Sequence, residues 1–91
     1  MLKVTATEYI LDFFPGAVQF HFTDAYGVKH ELIEKLPVLG FDDPDSLPTL
    51  PFEFEISFEV LERLEDGVAK VEFPYGISDE HGNSVFYLRE E

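Results

Sequence analysis

The feature that most constrains the fold is the alternation in residues 52–61, which read F-E-F-E-I-S-F-E-V-L. Successive side chains of a β-strand point to opposite faces, so this stretch predicts a strand with one apolar and one anionic side. We expect the strand to extend to about Glu62, because five apolar residues spaced two apart would point all round a helix. A short helix ending at Gly67 is the competing interpretation, and we predict a turn over residues 64–67 instead.

Five further strands are predicted from alternating patterns and from the turn residues that separate them. They cover residues 2–11, 17–23, 28–36, 68–73 and 84–89. Between the first two, residues 13–16, F-F-P-G, predict a turn, because proline fixes φ and glycine tolerates positive φ. Six strands without an internal repeat predict an all-β domain, either a small antiparallel sandwich or a partly open barrel. The residues expected to share its core are Phe20, Phe22, Leu32, Phe54, Ile56 and Phe58.

The sequence D-A-Y-G at residues 24–27 has the chemistry of a type I turn closed by a left-handed glycine. Such a turn pairs Asp24 with Val28 and thereby sets the register of the hairpin. The pairs that follow are Phe22 with His30, Phe20 with Leu32, and His21 with Glu31.

Residues 37–51 contain four of the six prolines, so they cannot form a central strand. We predict a long ordered loop or an edge crossover, held to the core by five apolar residues: Val38, Leu39, Phe41, Leu47 and Leu50. Loops of this length are often functional, so a pocket beneath the loop is one candidate binding site. The alternative is that the loop only covers an open end of the sheet.

Charge is the strongest signal in the composition. Nineteen acidic residues against six basic ones give a net charge of −13. The excess is uneven, with five acids and three bases in residues 1–41 but fourteen acids and three bases in residues 42–91. Such a field repels nucleic acid and anionic lipid, so we exclude both as partners. It attracts a basic protein, or it only keeps an aromatic-rich domain soluble.

The length of 91 residues predicts a single domain, residues 1–91. The chain has no cysteine, which excludes a disulfide framework and a thiolate zinc site. Its first residues are too polar for a signal peptide, and its apolar runs are too short to span a membrane. We therefore expect a cytoplasmic protein.

Residues 24–30, D-A-Y-G-V-K-H, and residues 34–38, E-K-L-P-V, resemble a cassette of small uncharacterised bacterial β-rich proteins. In that group a D-A-x-G-x-x-H segment is followed by E-K-x-P-V. Residues 75–77 and 81–86 fall where those proteins have a glycine-marked final strand. The resemblance implies a bacterial β domain, and it brings neither an activity nor catalytic residues.

No sequence motif predicts catalysis or a cofactor. His21 and Glu31 would be cross-strand neighbours, as a general base and its carboxylate must be, but no nucleophile accompanies them. We expect an ordinary cross-strand pair there, a hydrogen-bonded and partly buried His30, and a solvated His81. Gly-rich phosphate loops, G-x-S-x-G and H-E-x-x-H are absent from the sequence. We therefore predict a protein that is not an enzyme.

Residues 42–46, D-D-P-D-S, offer several oxygens to a hard cation such as Ca²⁺. They lack the glycine and the bidentate glutamate of an EF-hand loop. A solvated loop is the favoured interpretation, and no metal site is predicted.

The candidate partner-binding residues are Glu53, Glu55 and Glu59, which we expect on one strand, opposite its apolar side. They would present an acidic sheet face to a basic protein, as an immunity-like or adaptor module does. The alternative is a small-ligand-binding or subunit domain that uses a pocket under the 37–51 loop. Added salt weakens electrostatic docking but not apolar binding, which separates the two hypotheses.

Overall fold

The computed structural model describes residues 1–90, in which seven strands and three short 3-10 helices occur. The strands are β1 (Leu2–Ile10), β2 (Ala17–Thr23), β3 (Lys29–Lys35), β4 (Phe52–Ile56), β5 (Glu59–Arg63), β6 (Val68–Glu72) and β7 (Val85–Arg89). The 3-10 helices are Leu36–Leu39, Pro44–Ser46 and Glu65–Gly67.

The strands form two antiparallel sheets, one with the order β3-β2-β1-β4 and the other with the order β5-β6-β7. The all-β prediction is therefore confirmed, with seven strands in place of about six. Residues 1–90 form no closed barrel, because the two sheets have separate hydrogen-bond ladders.

The prediction of one continuous strand through Glu62 is wrong. The chain leaves the first sheet after Ile56, passes through Ser57 and Phe58, and enters the second sheet at Glu59. The apolar parity survives the break, since Ile56 is buried while Phe58 and Val60 pack half-buried against the same core. Alternation reports which side chains face the core, but it does not report which neighbouring strand accepts the backbone hydrogen bonds.

The predicted register of the β2–β3 hairpin is confirmed at all three pairs: Phe22 with His30, Phe20 with Leu32, and His21 with Glu31. In the turn, the Asp24 N–H donates to the Val28 carbonyl at 2.8 Å, and the Gly27 N–H donates to the Asp24 carbonyl at 3.1 Å. Gly27 has φ +83°, the left-handed conformation that this turn requires of its last residue.

One core lies between the two sheets. Phe22 of β2 makes edge-to-face contacts with Phe73 and Phe86, which follow β6 and lie in β7, at centroid distances of 5.6 and 5.3 Å. Of the six residues predicted to share the core, Phe20, Phe22, Leu32 and Ile56 are buried, and Phe54 and Phe58 pack half-buried against them. The core prediction is confirmed, although two of its rings retain access to solvent.

Polar contacts also join the sheets at the β2–β3 turn. The Ala25 N–H donates to the Tyr87 carbonyl of β7 at 2.8 Å. The guanidinium of Arg89, also in β7, donates to the Ala25 carbonyl at 3.4 Å. The hairpin tip of the first sheet is thereby fixed to an edge strand of the second.

Candidate functional site

The three predicted partner-binding residues are all exposed but do not share a strand. Glu53 and Glu55 lie on β4, whereas Glu59 lies on β5 in the other sheet. The expectation that they project from one strand is wrong, because the chain changes sheets between Glu55 and Glu59. We call these three residues the acidic ribbon, since they lie within the seven consecutive residues 53–59.

Each carboxylate of the acidic ribbon has a different cross-strand neighbour. Glu53 lies opposite Thr5, and Glu55 lies opposite Lys3. Glu59 lies opposite Glu72, a second carboxylate. The ion pairs of residues 1–90 do not include any member of the ribbon, although Lys3 faces Glu55 across the strand pair.

The acidic ribbon follows two sheet edges. β4 is the outermost strand of its sheet, and so is β5. Charged side chains on such edges prevent two copies of a protein from pairing edge to edge. This protective role and binding of a basic partner both require exposed carboxylates, and the edge position is compatible with either.

Basic residues gather in a groove between the sheets, next to the break that separates β4 from β5. Lys3, Arg63 and Arg89 line it, together with Glu55 and Glu90, and its volume is about 680 Å³. Two of the bases are engaged within the fold. Nε of Arg63 lies 3.3 Å from a carboxylate oxygen of Glu90, and Arg89 donates to the carbonyls of residues 66 and 25. Only Arg63 is paired with a carboxylate, whereas Arg89 bonds to neutral carbonyls and keeps its positive charge.

The 37–51 segment is an ordered loop, as predicted. Its five apolar residues (Val38, Leu39, Phe41, Leu47 and Leu50) all pack against the core. Phe41 contacts Phe52 and Phe54 edge to face at 5.8 and 5.5 Å, and the Tyr9 hydroxyl donates to the Pro48 carbonyl at 2.7 Å. These contacts hold the loop across one end of the first sheet.

A groove of about 570 Å³ lies where this loop meets the β1–β2 connection. Leu11, Phe13, Phe14, Leu36 and Phe41 provide most of its apolar lining, and Asp12 and Asp42 belong to the same lining. We call this site the apolar groove. Of the 37–51 loop, beneath which a pocket was predicted, only Pro37, Phe41 and Asp42 line this groove.

Sequence reasoning missed the contribution of residues 11–16, since it assigned Leu11 to the first strand and residues 13–16 to a turn. Leu11, Phe13 and Phe14 are 58%, 46% and 96% exposed, so three large apolar side chains face solvent within four residues. The sequence did contain a signal for this patch: one leucine and two phenylalanines are unusual there, since turns are usually built from small and polar residues. Extended exposed apolar patches mark interaction sites more often than isolated apolar residues do.

His30 contacts an aspartate and two aromatic rings. Nε2 of His30 lies 2.7 Å from Oδ2 of Asp24, and the ring packs against Phe22 and Phe86, so the expected hydrogen-bonded and partly buried His30 is confirmed. Burial acts to raise the pKa of Asp24, but hydrogen bonds from His30 and from two backbone N–H groups outweigh it and lower the pKa.

His21 lies opposite Glu31, as predicted, but the carboxylate of Glu31 is bound elsewhere. It accepts from Gln19 at 3.4 Å and lies 3.5 Å from Nζ of Lys29. His81 is exposed in its turn, within 3.4 Å of Glu80. None of these contacts places a nucleophile beside a base.

The D-A-Y-G-V-K-H segment of the predicted cassette, residues 24–30, builds the β2–β3 turn. Oδ1 of Asp24 accepts from the N–H groups of Tyr26 and Val28 at 2.8 and 3.0 Å. Asp79 has the same pattern, since its Oδ1 accepts from the N–H groups of His81 and Asn83 at 2.9 Å. The cassette residues Asp24, Gly27 and His30 therefore shape a hairpin.

In the aspartate-rich segment, the Asp43 side chain accepts from the Asp45 N–H at 2.9 Å and caps a 3-10 helix. Over the part of the chain that the structure describes, no three His, Asp or Glu side chains are grouped as metal ligands would be. None of the helices in residues 1–90 combines the length and apolarity required to cross a membrane.

No protein-family model, curated protein or solved structure matches the chain.

Proposed function

We propose that the chain is a non-catalytic protein-binding domain, of the immunity-like or adaptor kind, and that its acidic ribbon binds a basic protein. The observation that carries the proposal is the state of Glu53, Glu55 and Glu59. All three are exposed, and none has an ion-pair partner among residues 1–90. A basic partner would supply the missing counter-charges.

The charge distribution supports an electrostatic contact. Residues 42–91, which include the acidic ribbon, contain fourteen acids and three bases. A surface of one sign steers an oppositely charged partner and accelerates association, and it disfavours partners of like charge. At Glu59, a Lys or Arg of the partner would also relieve the repulsion from Glu72 across the strand pair.

Capture of proteins from a cell extract by the immobilised domain tests the proposal, with the captured proteins identified by mass spectrometry. The test variant replaces Glu53, Glu55 and Glu59 by Gln. A matched variant replaces Glu8, Glu65 and Glu80 by Gln, which changes the net charge equally at exposed positions elsewhere. We expect basic proteins to be retained by the wild type and the matched variant only. Equal retention by the test variant would contradict the proposal.

A second candidate function is that of a small-ligand-binding or subunit domain. The apolar groove favours it, because a volume of about 570 Å³ lies within the range of ligand pockets in proteins. A thermal-shift screen of small molecules against the wild type and the variant Leu11→Arg tests whether the groove binds a small ligand. Compounds that raise the melting temperature of the wild type alone would support it.

A further inference from the structure

We infer that the apolar groove is a docking site for a protein segment that presents large apolar side chains flanked by Lys or Arg. The inference rests on the second candidate function, in its subunit-domain alternative, and states which kind of protein segment the groove would bind. It does not depend on the acidic ribbon, so the two surfaces are tested separately.

Apolar area at the groove is left uncovered by the fold. Phe14 is 96% exposed, so its ring contributes almost no packing to the free domain. Its neighbours Leu11 and Phe13 are also exposed, at 58% and 46%. Burying such rings against a partner is favourable, and aromatic side chains are the commonest anchors of protein interfaces. The patch is therefore better suited to a partner's apolar side chains than to water.

The wall formed by Gly16, Leu36 and Phe41 is held in place before any partner arrives. The Leu36 N–H donates to the Gly16 carbonyl at 3.0 Å, which joins the β1–β2 connection to the residue that precedes the 37–51 loop. The Phe41 N–H donates to the Leu36 carbonyl at 3.0 Å. At Gly16 an added Cβ would lie 3.1 Å from Leu11 and 3.2 Å from Leu36, so the two leucines close over this glycine. A preformed site spends less free energy on ordering when it binds.

Charge selects among the possible occupants. Asp12 and Asp42 line the groove, and none of its lining residues is basic. A second copy of the chain would bring its own Asp12 and Asp42 towards this acidic lining and would add a further charge of −13. An anionic membrane is repelled for the same reason. A segment with Lys or Arg beside its apolar anchors fits this groove. The anchors would pack on the apolar lining, and the basic side chains would pair with Asp12 and Asp42.

Selection from a random peptide library displayed on phage tests this inference, with the wild-type domain as bait. The variant Phe14→Ser removes the most exposed ring, and Tyr75→Ser is its matched control, because Tyr75 is 82% exposed in another turn. Both variants should keep the wild-type melting temperature, since neither ring is packed. We expect enriched peptides with apolar anchors between basic residues, bound about tenfold or more weakly by Phe14→Ser and unchanged by Tyr75→Ser.

Several outcomes would overturn the inference. These are an absence of enriched peptides, enrichment of peptides without basic residues, and binding that survives Phe14→Ser. Binding that survives Phe14→Ser but is lost in the triple Gln variant of the acidic ribbon would overturn the inference and leave the proposed function intact. Sedimentation showing a dimer that Phe14→Ser dissociates would assign the groove to a second copy. Flotation with phosphatidylcholine vesicles that depends on Phe14 would assign it to a membrane.

Discussion

Glu59 lies directly opposite Glu72 across the β5–β6 pair. Like charges at directly opposed positions of an antiparallel pair destabilise it. Glu55, which belongs to the same acidic ribbon, lies opposite Lys3 across the β1–β4 pair. Two exposed glutamates that look equivalent in the sequence therefore have opposite electrostatic surroundings.

Glu59→Lys should stabilise the domain at low salt, whereas Glu55→Lys should destabilise it. The first change turns a repulsive cross-strand pair into an attractive one, and the second does the reverse. Each effect should be roughly 0.2–1 kcal/mol in the free energy of unfolding. Urea denaturation measures both, and about 1 M salt should shrink both effects by screening. Changes of the same sign in the two variants would contradict the pairing.

Acid should destabilise the domain partly through Asp24. Its pKa is lowered in the fold, because hydrogen bonds from His30, Val28 and Tyr26 outweigh the effect of burial. A group with a lowered folded pKa stabilises the protein above its unfolded pKa of about 3.9, and this stabilisation is lost as the pH falls through the folded value. Asp24→Asn should therefore cost about 1–3 kcal/mol at neutral pH and flatten the loss of stability below about pH 4.

Urea denaturation at a series of pH values tests this prediction, with Asp42→Asn as the control at an exposed aspartate. The control should leave the acid limb of the stability curve unchanged. If Asp24→Asn and the wild type lose stability in parallel as the pH falls, the contacts of the Asp24 carboxylate do not contribute to acid denaturation.

Phe22→Ala should be the more damaging of two core substitutions. Phe22 is buried and contacts Phe73 and Phe86 across the two sheets, so its loss should cost about 3–5 kcal/mol. Phe54→Ala should cost less, because that ring is only half-buried, although it contacts Phe20 at 5.5 Å. Urea denaturation compares the two variants. A larger loss at position 54 would place the centre of the core in the first sheet alone.

Gly16→Ala should destabilise the domain more than Gly27→Ala. Both glycines have positive φ, +89° and +83°, so either alanine carries a conformational cost of about 1–2 kcal/mol. Only at Gly16 does the added methyl group also meet Leu11 and Leu36, while Gly27 faces open space. Thermal denaturation of both variants measures the difference. Equal losses would mean that the side chains around Gly16 yield without cost.

Local chemistry made much of the fold predictable. The D-A-Y-G turn determined the β2–β3 register, because the turn type fixes which residues face each other. Alternation identified the core side of residues 52–60 correctly. It did not reveal the change of sheet after Ile56, because the same face stays buried on both sides of the break and only the hydrogen-bonding partner differs.

The candidate sites were less predictable, because they depend on contacts distant in sequence. Exposure of Glu53, Glu55 and Glu59 follows from their parity, but their neighbours Thr5, Lys3 and Glu72 come from other strands. The apolar groove combines residues 11–16 with residues 36–42. The loop was suspected from its length, whereas Leu11 was assigned to a strand and residues 13–16 to a turn, because proline and glycine follow the two phenylalanines.

The most direct test of the protein-binding function is the salt dependence of the dissociation constant for a purified basic protein that the domain captures. Titration calorimetry at about 50 mM and about 500 mM salt measures it for the wild type and for the variant with Gln at positions 53, 55 and 59. We expect the wild-type affinity to fall steeply with salt, and that of the variant to be weaker at low salt and to fall less steeply. Equal affinity and equal salt dependence in the two proteins would contradict binding through the acidic ribbon.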